Sequence, residues 1–534
     1  MKKIGFLMVS ISYVLYGCVL KTDLSKELEV DGMEMSDWKV PDGFTYNMSP
    51  VQNLQISFTN GSSRIDASEA IQYALVGTDY RDSVYALRVG YASLVDGIDI
   101  NFNRPIHIQN LFIYTKYQGN SRFFDVSGGI LSLSLTDLEV ADSFFDGTGA
   151  RTSGTPDCTS FLGNATQIRC RADGISIKSS ATITYIDLNK VDGTVERVTP
   201  EQQGVNANDN QWFFPYVDFD MNTISTFSVI ADCRTSPHTI STELVTFINP
   251  CLSLLVDTDN DGVADESDIS PEDASIASVT YIPAQNSYST FAFEDMWPYL
   301  GDFDFNDLII AHNAVVYTNT NNKVTKITYQ INVEAVGATF DNDLCLSFSD
   351  PGPSIGITLD QVQSDGVSYE LHKLNNRSEL RFKHIKQGFN SGGFINTDST
   401  RSYEQPIEIS LVLLFDGTVD LDNFEIDEYI RINQEEGREV HKPGKSYTSL
   451  FDESWIGQAA DDTNPGEGKY FLTENNLPWA IEIPTPWEYP KEKVQISKAY
   501  PRFVDYVQGK TNSPWYTDED GNKIHKHLYK KSNQ

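Results

Sequence analysis

Asp257, Asp259, Asp261, Asp265 and Asp268 recur within one twelve-residue stretch, Asp257-Thr258-Asp259-Asn260-Asp261-Gly262-Val263-Ala264-Asp265-Glu266-Ser267-Asp268. Calcium takes about six to eight oxygen ligands, and a loop wrapped around it can supply them from positions 1, 3, 5, 7, 9 and 12. Here those positions are Asp257, Asp259, Asp261, the Val263 carbonyl, Asp265 (directly or through water) and Asp268. Gly262 falls at position 6, where the chain must turn sharply. Without a cation these carboxylates repel one another, so the empty loop is expected to be disordered. A solvated acidic linker is the bland alternative. It accounts for scattered aspartates but poorly for six positions in register.

A second acidic run, Gly301-Asp302-Phe303-Asp304-Phe305-Asn306-Asp307-Leu308, follows Glu294 by a few residues. Strand alternation predicts Asp302, Asp304 and Asn306 on one side and Phe303 and Phe305 on the other. Glu294 and Asp307 then complete a weaker second calcium site. A polar loop leading into the Leu308-Ile309-Ile310 strand explains the run equally well, because the full twelve-residue spacing is absent.

Catalytic signatures are missing. The chain has no H-E-x-x-H, no G-x-S-x-G and no P-loop. Its eight histidines are scattered, and His441, within Arg438-Glu439-Val440-His441-Lys442-Pro443, is expected to order a loop by hydrogen bonding. A glycosidase needs only two carboxylates, so a surface hydrolase remains the weakest of the readings. Trp212, Phe213, Phe214 and Tyr216 are expected in a core, with stacking on sugars as the alternative.

The elements that must position these residues read as strands. The 534 residues suggest two to four domains at about 150 residues each. Aromatic residues make up 12%, enough for large cores. With 40 basic and 75 acidic side chains the formal charge is −35, which disfavours nucleic acid and anionic lipid and favours a cation. Leu54–Phe58, Ile98–Phe102, Ile130–Leu135, Ala181–Tyr185, Leu308–Tyr317, Val324–Ala335 and Ile407–Phe415 alternate as half-buried strands do. Glu492–Val504 suits a short helix. The expected fold is mainly β: a β-sandwich-like region over 41–250, a calcium-loop junction over 251–274, and a β-rich domain with little helix over 275–518. Residues 519–534 form a basic tail.

At the N-terminus, Lys2 and Lys3 precede the apolar Ile4–Tyr16, a secretory signal pattern too short to remain as a spanning helix. Leu15-Tyr16-Gly17-Cys18 resembles the bacterial lipobox, although Tyr16 is larger than that pattern prefers. The resemblance implies cleavage after residue 17, lipidation of Cys18, and a tether over 18–40 that leaves the protein held on a membrane by acyl chains. Proximity favours Cys158–Cys170 and Cys233–Cys251 disulfides with Cys345 free, but spacing alone does not select among the connectivities. A zinc site is disfavoured, since no C-x-x-C pair occurs.

Two further resemblances bear on function. The acidic twelve-residue loop ends in Asp where a helix–loop–helix hand has Glu, and it resembles the thrombospondin type 3 repeat, an irregular connector wrapped on calcium. The run Trp297-Pro298 to Ile310 (W-P-x-x-G-D-F-D-F-N-D-L-I-I) resembles the signature of the LruC domain of exported bacterial lipoproteins, which has a DUF4842-like C-terminal part. Ala335-Val336-Gly337-Ala338, Arg438 to Gly444, Asp461-Asp462, Asn476 to Ile481, Tyr489-Pro490-Lys491-Glu492, Ala499-Tyr500 and Trp515-Tyr516 continue the match, and Pro41 to Tyr46 resembles the opening segment of such lipoproteins. The resemblance implies a surface-associated, non-catalytic, β-rich domain at the outer membrane of a Gram-negative cell. The expected function is calcium-dependent adhesion or structural binding at the cell surface. The alternative is a glycan-binding protein of a polysaccharide-uptake system. The expected partners are the membrane, through the lipid, and a glycan or surface-protein ligand, with no nucleic acid.

Overall fold

The structure is a computed structural model. It describes residues 35–529 apart from 36–37, 60–69, 118–119, 135–137, 139–165, 172–173, 180–181, 200, 203–210, 216–222, 237–238, 249–255, 266–267, 350–357, 375–376, 421–423, 434–436 and 520. Strands dominate it. Before residue 135 lie β1 (Val51–Thr59), β2 (Ala70–Thr78), β3 (Val84–Ser93), β4 (Ile98–Asn103), β5 (Asn110–Tyr117), β6 (Asn120–Asp125) and β7 (Ile130–Ser134). Then come β8 (Thr166–Arg171), β9 (Gly174–Ser179), β10 (Thr182–Lys190), β11 (Val195–Val198), β12 (Glu201–Gln202), β13 (Gln211–Pro215), β14 (Ile224–Ser236) and β15 (Thr239–Ile248). Past the acidic loop are β16 (Ser278–Ile282), β17 (Ser289–Phe293), β18 (Leu308–Thr318), β19 (Lys323–Ala335), β20 (Asn342–Ser349), β21 (Thr358–Ser364), β22 (Tyr369–Lys373) and β23 (Arg377–Phe382). The last four are β24 (Ile407–Asp420), β25 (Ile426–Ile432), β26 (Glu439–Val440) and β27 (Ala480–Ile483). The described residues hold two short helices, α1 (Ile496–Ala499) and α2 (Arg502–Val507), within and just beyond the segment whose pattern suggested one.

One long sheet carries strands from both sides of the acidic loop, in the order β21-β24-β19-β18-β16-β3-β2-β5-β6, with β17 and β27 joined through β18. The link is β16, which pairs with β18 over five residues and with β3 at Val279↔Val89 and Thr280↔Arg88. Arg88, buried there, donates to the Tyr73 hydroxyl at 2.9 Å, the Thr280 hydroxyl at 2.7 Å and Asn322 Oδ1 at 2.9 Å. A charge this enclosed persists only when its donors are matched. A second sheet, β22-β23-β20-β25-β26, supplies the opposite wall. Between β10 and β15 the order β11-β10-β14-β15 makes a separate antiparallel sheet.

The core follows from alternation. β19 turns Ile327, Tyr329, Ile331 and Val333 inward, β24 Ile407, Ile409, Leu411 and Leu413, and β20 Leu344, Leu346 and Phe348, all in one apolar cluster. A second cluster gathers Trp38, Val40, Phe303, Phe305, Trp487, Tyr500, Phe503 and Trp515. Among the described residues, Met35 and Trp38, inside the segment whose polar composition suggested a tether, already pack, because those two large apolar side chains find a pocket among C-terminal aromatics. The last described residues are held too. Leu528 and Tyr529 are buried in the same cluster, and Lys523 pairs with Glu488 at 2.8 Å.

Candidate metal centres

The acidic loop folds on itself through its own carboxylates. Gly262 N donates to Asp257 Oδ2 at 3.0 Å, Asp261 N to Asp259 Oδ1 at 3.2 Å, Val263 N to Asp261 Oδ1 at 2.8 Å, and Ser270 N to Asp268 Oδ1 at 2.9 Å. Asn260 and Gly262 take positive φ, 62° and 95°, which makes the reversal. Each of these four carboxylates thus spends one oxygen on the backbone. The other oxygens, Asp257 Oδ1, Asp259 Oδ2, Asp261 Oδ2 and Asp268 Oδ2, are buried with no hydrogen-bond partner. Ligand oxygens of Asp257, Asp259 and Asp261 lie within 4.8 Å of one another. Burial, with Asp268, Asp259 and Asp257 adding their charge, pushes the Asp261 carboxyl up to about 6. Burial, then Asp259 and Asp257, raises Asp268 in the same way. Unpaired oxygens of like charge in a partly dry place are stable only with a cation or protons among them. The donor set, all hard oxygen, fits a divalent ion of the calcium or magnesium class.

Asp265 is the expected ligand that the structure places elsewhere. Thr258 donates to it twice, from its N–H and its hydroxyl, both at 2.8 Å, so its two oxygens brace the base of the loop. Val263 anchors the loop with a buried side chain.

The second cluster is more deeply set. Glu294 lies just past β17, and Asp302 and Asp304 lie on the approach to β18. Their ligand oxygens also fall within 4.8 Å of one another. Phe303 and Phe305 do point away from them into an apolar cluster, but not by strand alternation. Both adopt left-handed φ, 56° and 52°, so the chain zigzags while packing each ring. Phe305 N donates to Glu294 Oε1 at 2.6 Å, leaving Glu294 Oε2 buried and unpartnered, as is Asn306 Oδ1. Asp304 accepts from Asn306 N at 3.1 Å and from Lys493 N at 2.7 Å. Asp307 turns aside. Its Oδ2 accepts from Asp295 N at 2.8 Å, and Asn342 and Arg438 complete that neighbouring group.

Burial, then Asp304 and Asp302, holds the Glu294 carboxyl far above the ordinary range. Burial, Asp302 and Glu492 push Asp304 up to about 8. Glu492, raised to about 7 by burial and Asp302, acts on this centre through its charge although its position in the sequence did not suggest it. The only hint was Tyr489-Pro490-Lys491-Glu492, a motif of the resemblance rather than of metal chemistry. Two glycines make room. A Cβ on Gly301 would stand 1.9 Å from Glu294 Oε2, and one on Gly337 would stand 2.0 Å from Asn306 Oδ1 and 2.7 Å from the Asn306 carbonyl. Since that carbonyl is backbone, Gly337→Ala is expected to lower stability by about 1–3 kcal/mol in urea unfolding. An unchanged midpoint would show that the loop yields freely.

Among the cysteines, Cys345 is a free, buried thiol, as expected. Cys158 and Cys251 lie outside the described residues, and of Cys170 and Cys233 only the strands β8 and β14 are described. Cys18 and Tyr216 are likewise outside them, and Trp212, Phe213 and Phe214 are described only as part of β13. No helix among the described residues is long and apolar enough to cross a membrane.

The fold and its two oxygen-rich clusters define a mainly β protein able to chelate divalent cations. Residues 322–516 match the family described as a domain of unknown function, DUF4842. The W-P-x-x-G-D-F-D-F-N-D run and its carboxylates lie ahead of that matched segment. No curated protein matches the sequence. Among solved structures, a Bacteroides ovatus protein described as a lipoprotein aligns at 14% identity over 68% of this chain and 92% of its own, with a TM-score of 0.36. A structure described under adhesion by Streptococcus parasanguinis Fap1 fimbriae aligns at 11% identity over 29% of this chain and 74% of its own, with a TM-score of 0.16.

Proposed function

We propose that this is an exported, lipid-anchored surface protein that binds calcium and acts by adhesion or structural binding rather than by catalysis. The observation that carries the reading is the set of four buried, unpartnered carboxylate oxygens in one twelve-residue loop, each belonging to a carboxylate whose other oxygen is fixed by the backbone. A thrombospondin type 3-like loop at 257–268 would stiffen the passage from β15 to β16. The W-P-x-x-G-D-F-D-F-N-D run supports an LruC-like domain over 275–518, and the sequence up to Cys18 supports an outer-membrane lipid anchor. Want of a nucleophile or zinc motif supports a non-catalytic role.

Calorimetric titration of calcium into the chain from Val19 onward tests this. Binding with a rise in melting temperature is expected. Asp259→Ala/Asp261→Ala is expected to lose one site and to become cleavable by protease near residue 257 in saturating calcium. Equal heats and equal protease resistance in the two proteins would defeat the proposal.

A further inference from the structure

The core-facing stripes are interrupted at one level of the sheets. β18 turns Leu308, Ile310, Ala314 and Val316 into the main cluster, yet His312 occupies the position between them. Tyr329 stands between Ile327 and Ile331 on β19, and Glu428 precedes Ile430 and Ile432 on β25. Glu482 on β27 and Lys442 beyond β26 reach the same place. Lys442 Nζ donates to Glu482 at 2.8 Å and stands 3.6 Å from Glu428. The Tyr329 hydroxyl joins His312 Nδ1, 2.9 Å away, to Glu428. Polar groups at positions that alternation gives to apolar side chains cost stability, so their convergence calls for a cause.

They line a cavity of about 540 Å³, within the roughly 300–1,000 Å³ of small-molecule sites. One buried polar atom there, Ser289 Oγ, has no hydrogen-bond partner, and His312 Nε2 has only Glu482 Oε1, 3.5 Å away. Ser289 and His312 are directly paired residues of β17 and β18. Pro283, Phe424 and Ile426 supply an apolar wall.

We propose that this cavity binds a small neutral polyhydroxylated compound, the size of a mono- or disaccharide. Lys442 offsets one of the two carboxylates and the Lys445–Glu425 pair on the same lining cancels itself, which leaves a single net negative charge. An anionic ligand would meet Glu428 and Glu482, and a cationic one would compete with Lys442. Hydroxyls do both jobs, donating to the carboxylates and accepting from Lys442 and Ser289, while the C–H face of a sugar suits the Pro283 wall. The inference is independent of calcium.

Saturation-transfer NMR on the chain from Val19 onward, in calcium and in chelator, tests it. The probes are glucose, galactose, N-acetylglucosamine and cellobiose, with glucuronate and glucosamine as charged comparators, at roughly 10 mM, ten times a millimolar Kd. At least one neutral sugar is expected to show transfer in both conditions. Ser289→Ala is expected to weaken it about tenfold, and Ile426→Trp, which fills the cavity from a half-buried position, to abolish it without altering the melting curve. If Ile426→Trp does not fold, Ala314→Val, a smaller filling of the floor, is expected to weaken binding. Silence from every neutral sugar, a preference for the charged pair, or transfer untouched by the filling variant would overturn the assignment.

Discussion

Replacing His441 by leucine is expected to cost about 3–5 kcal/mol of folding free energy near pH 6, read from urea unfolding. The ring is fully buried. Its Nδ1 lies 2.7 Å from Asp427 Oδ2 and its Nε2 2.9 Å from Glu439 Oε2, with the Tyr429 ring stacked at 4.1 Å. Two carboxylate acceptors require both nitrogens to donate, so the ring is an imidazolium. Burial pushes its pKa down, but Asp427 and Glu439 outweigh burial and hold it above the ordinary value. Glu439 then ties down the following loop, accepting from Thr448 N at 2.9 Å and the Thr448 hydroxyl at 2.6 Å. Leucine would leave two buried carboxylates facing each other, Asp427 without its close cation and Glu439 with only Arg431. The signs fix the pH profile. The raised His441 contributes stability that is complete below its unfolded value of about 6.5 and is lost as pH climbs through its folded value. Asp427 and Glu439, both lowered despite burial by their contacts with His441, contribute stability present above their unfolded values and lost as pH falls through their folded ones. Wild type should therefore lose stability on the alkaline side of about pH 6.5. His441→Leu should lack that histidine-linked step. A penalty below about 1 kcal/mol at pH 6, or an unaltered alkaline slope, would show that the imidazole is not charged.

What could be read in the sequence was local. Alternation located β18, β19 and β24 of the long sheet and β1, β4, β7 and β10 outside it, and odd-position aspartates closed by a glycine marked the first cluster, because a tight loop brings its own alternate residues together. The diversion of Asp265 to Thr258 was not legible. It is a competition between a hydroxyl and an ion that spacing leaves open. In the second cluster the faces of Phe303 and Phe305 came out as expected for an unexpected reason, left-handed backbone in place of extended strand. Glu492 comes from far along the chain to act on Asp302 and Asp304 through its charge, and no pattern in one sequence reports such a meeting. The same holds for β3 against β16, where Arg88 finds Thr280 and Asn322 across nearly two hundred residues or more, and for Trp38 against the C-terminal aromatics. The polar stripe of His312, Tyr329, Glu428 and Glu482 was hidden likewise. Each is unremarkable in its own strand, and only the stacking of strands puts them at one level.

Glu294→Gln is expected to reverse sign with calcium. Without calcium the variant should melt higher than wild type, by about 1–3 kcal/mol, because it removes a buried carboxylate whose second oxygen has no partner. Glutamine keeps an oxygen for the Phe305 N–H and offers an amide to Asp304 without requiring a bound proton. In saturating calcium the order should invert. Wild type gains about 2.7 kcal/mol for each site held at a hundred times its Kd, and the variant forfeits that gain here. Proton linkage follows from the same carboxylates. Asp304, raised to about 8 by burial and its acidic neighbours, holds a proton near neutrality. A carboxylate raised in the folded state contributes stability present below its unfolded value of about 4 and lost as pH rises through its folded value, so calcium-free protein should weaken between about pH 4 and 8. A cation that needs both Asp304 oxygens' charge must displace that proton. Calorimetry at pH 7 in buffers of different ionisation enthalpy should therefore register proton release on calcium binding by wild type and less by Glu294→Gln. If instead the two proteins kept the same rank with and without calcium, and no protons appeared, Glu294, Asp302 and Asp304 would be a proton-sharing cluster that holds β17 to the loop before β18, and the calcium of this protein would belong to the 257–268 loop alone.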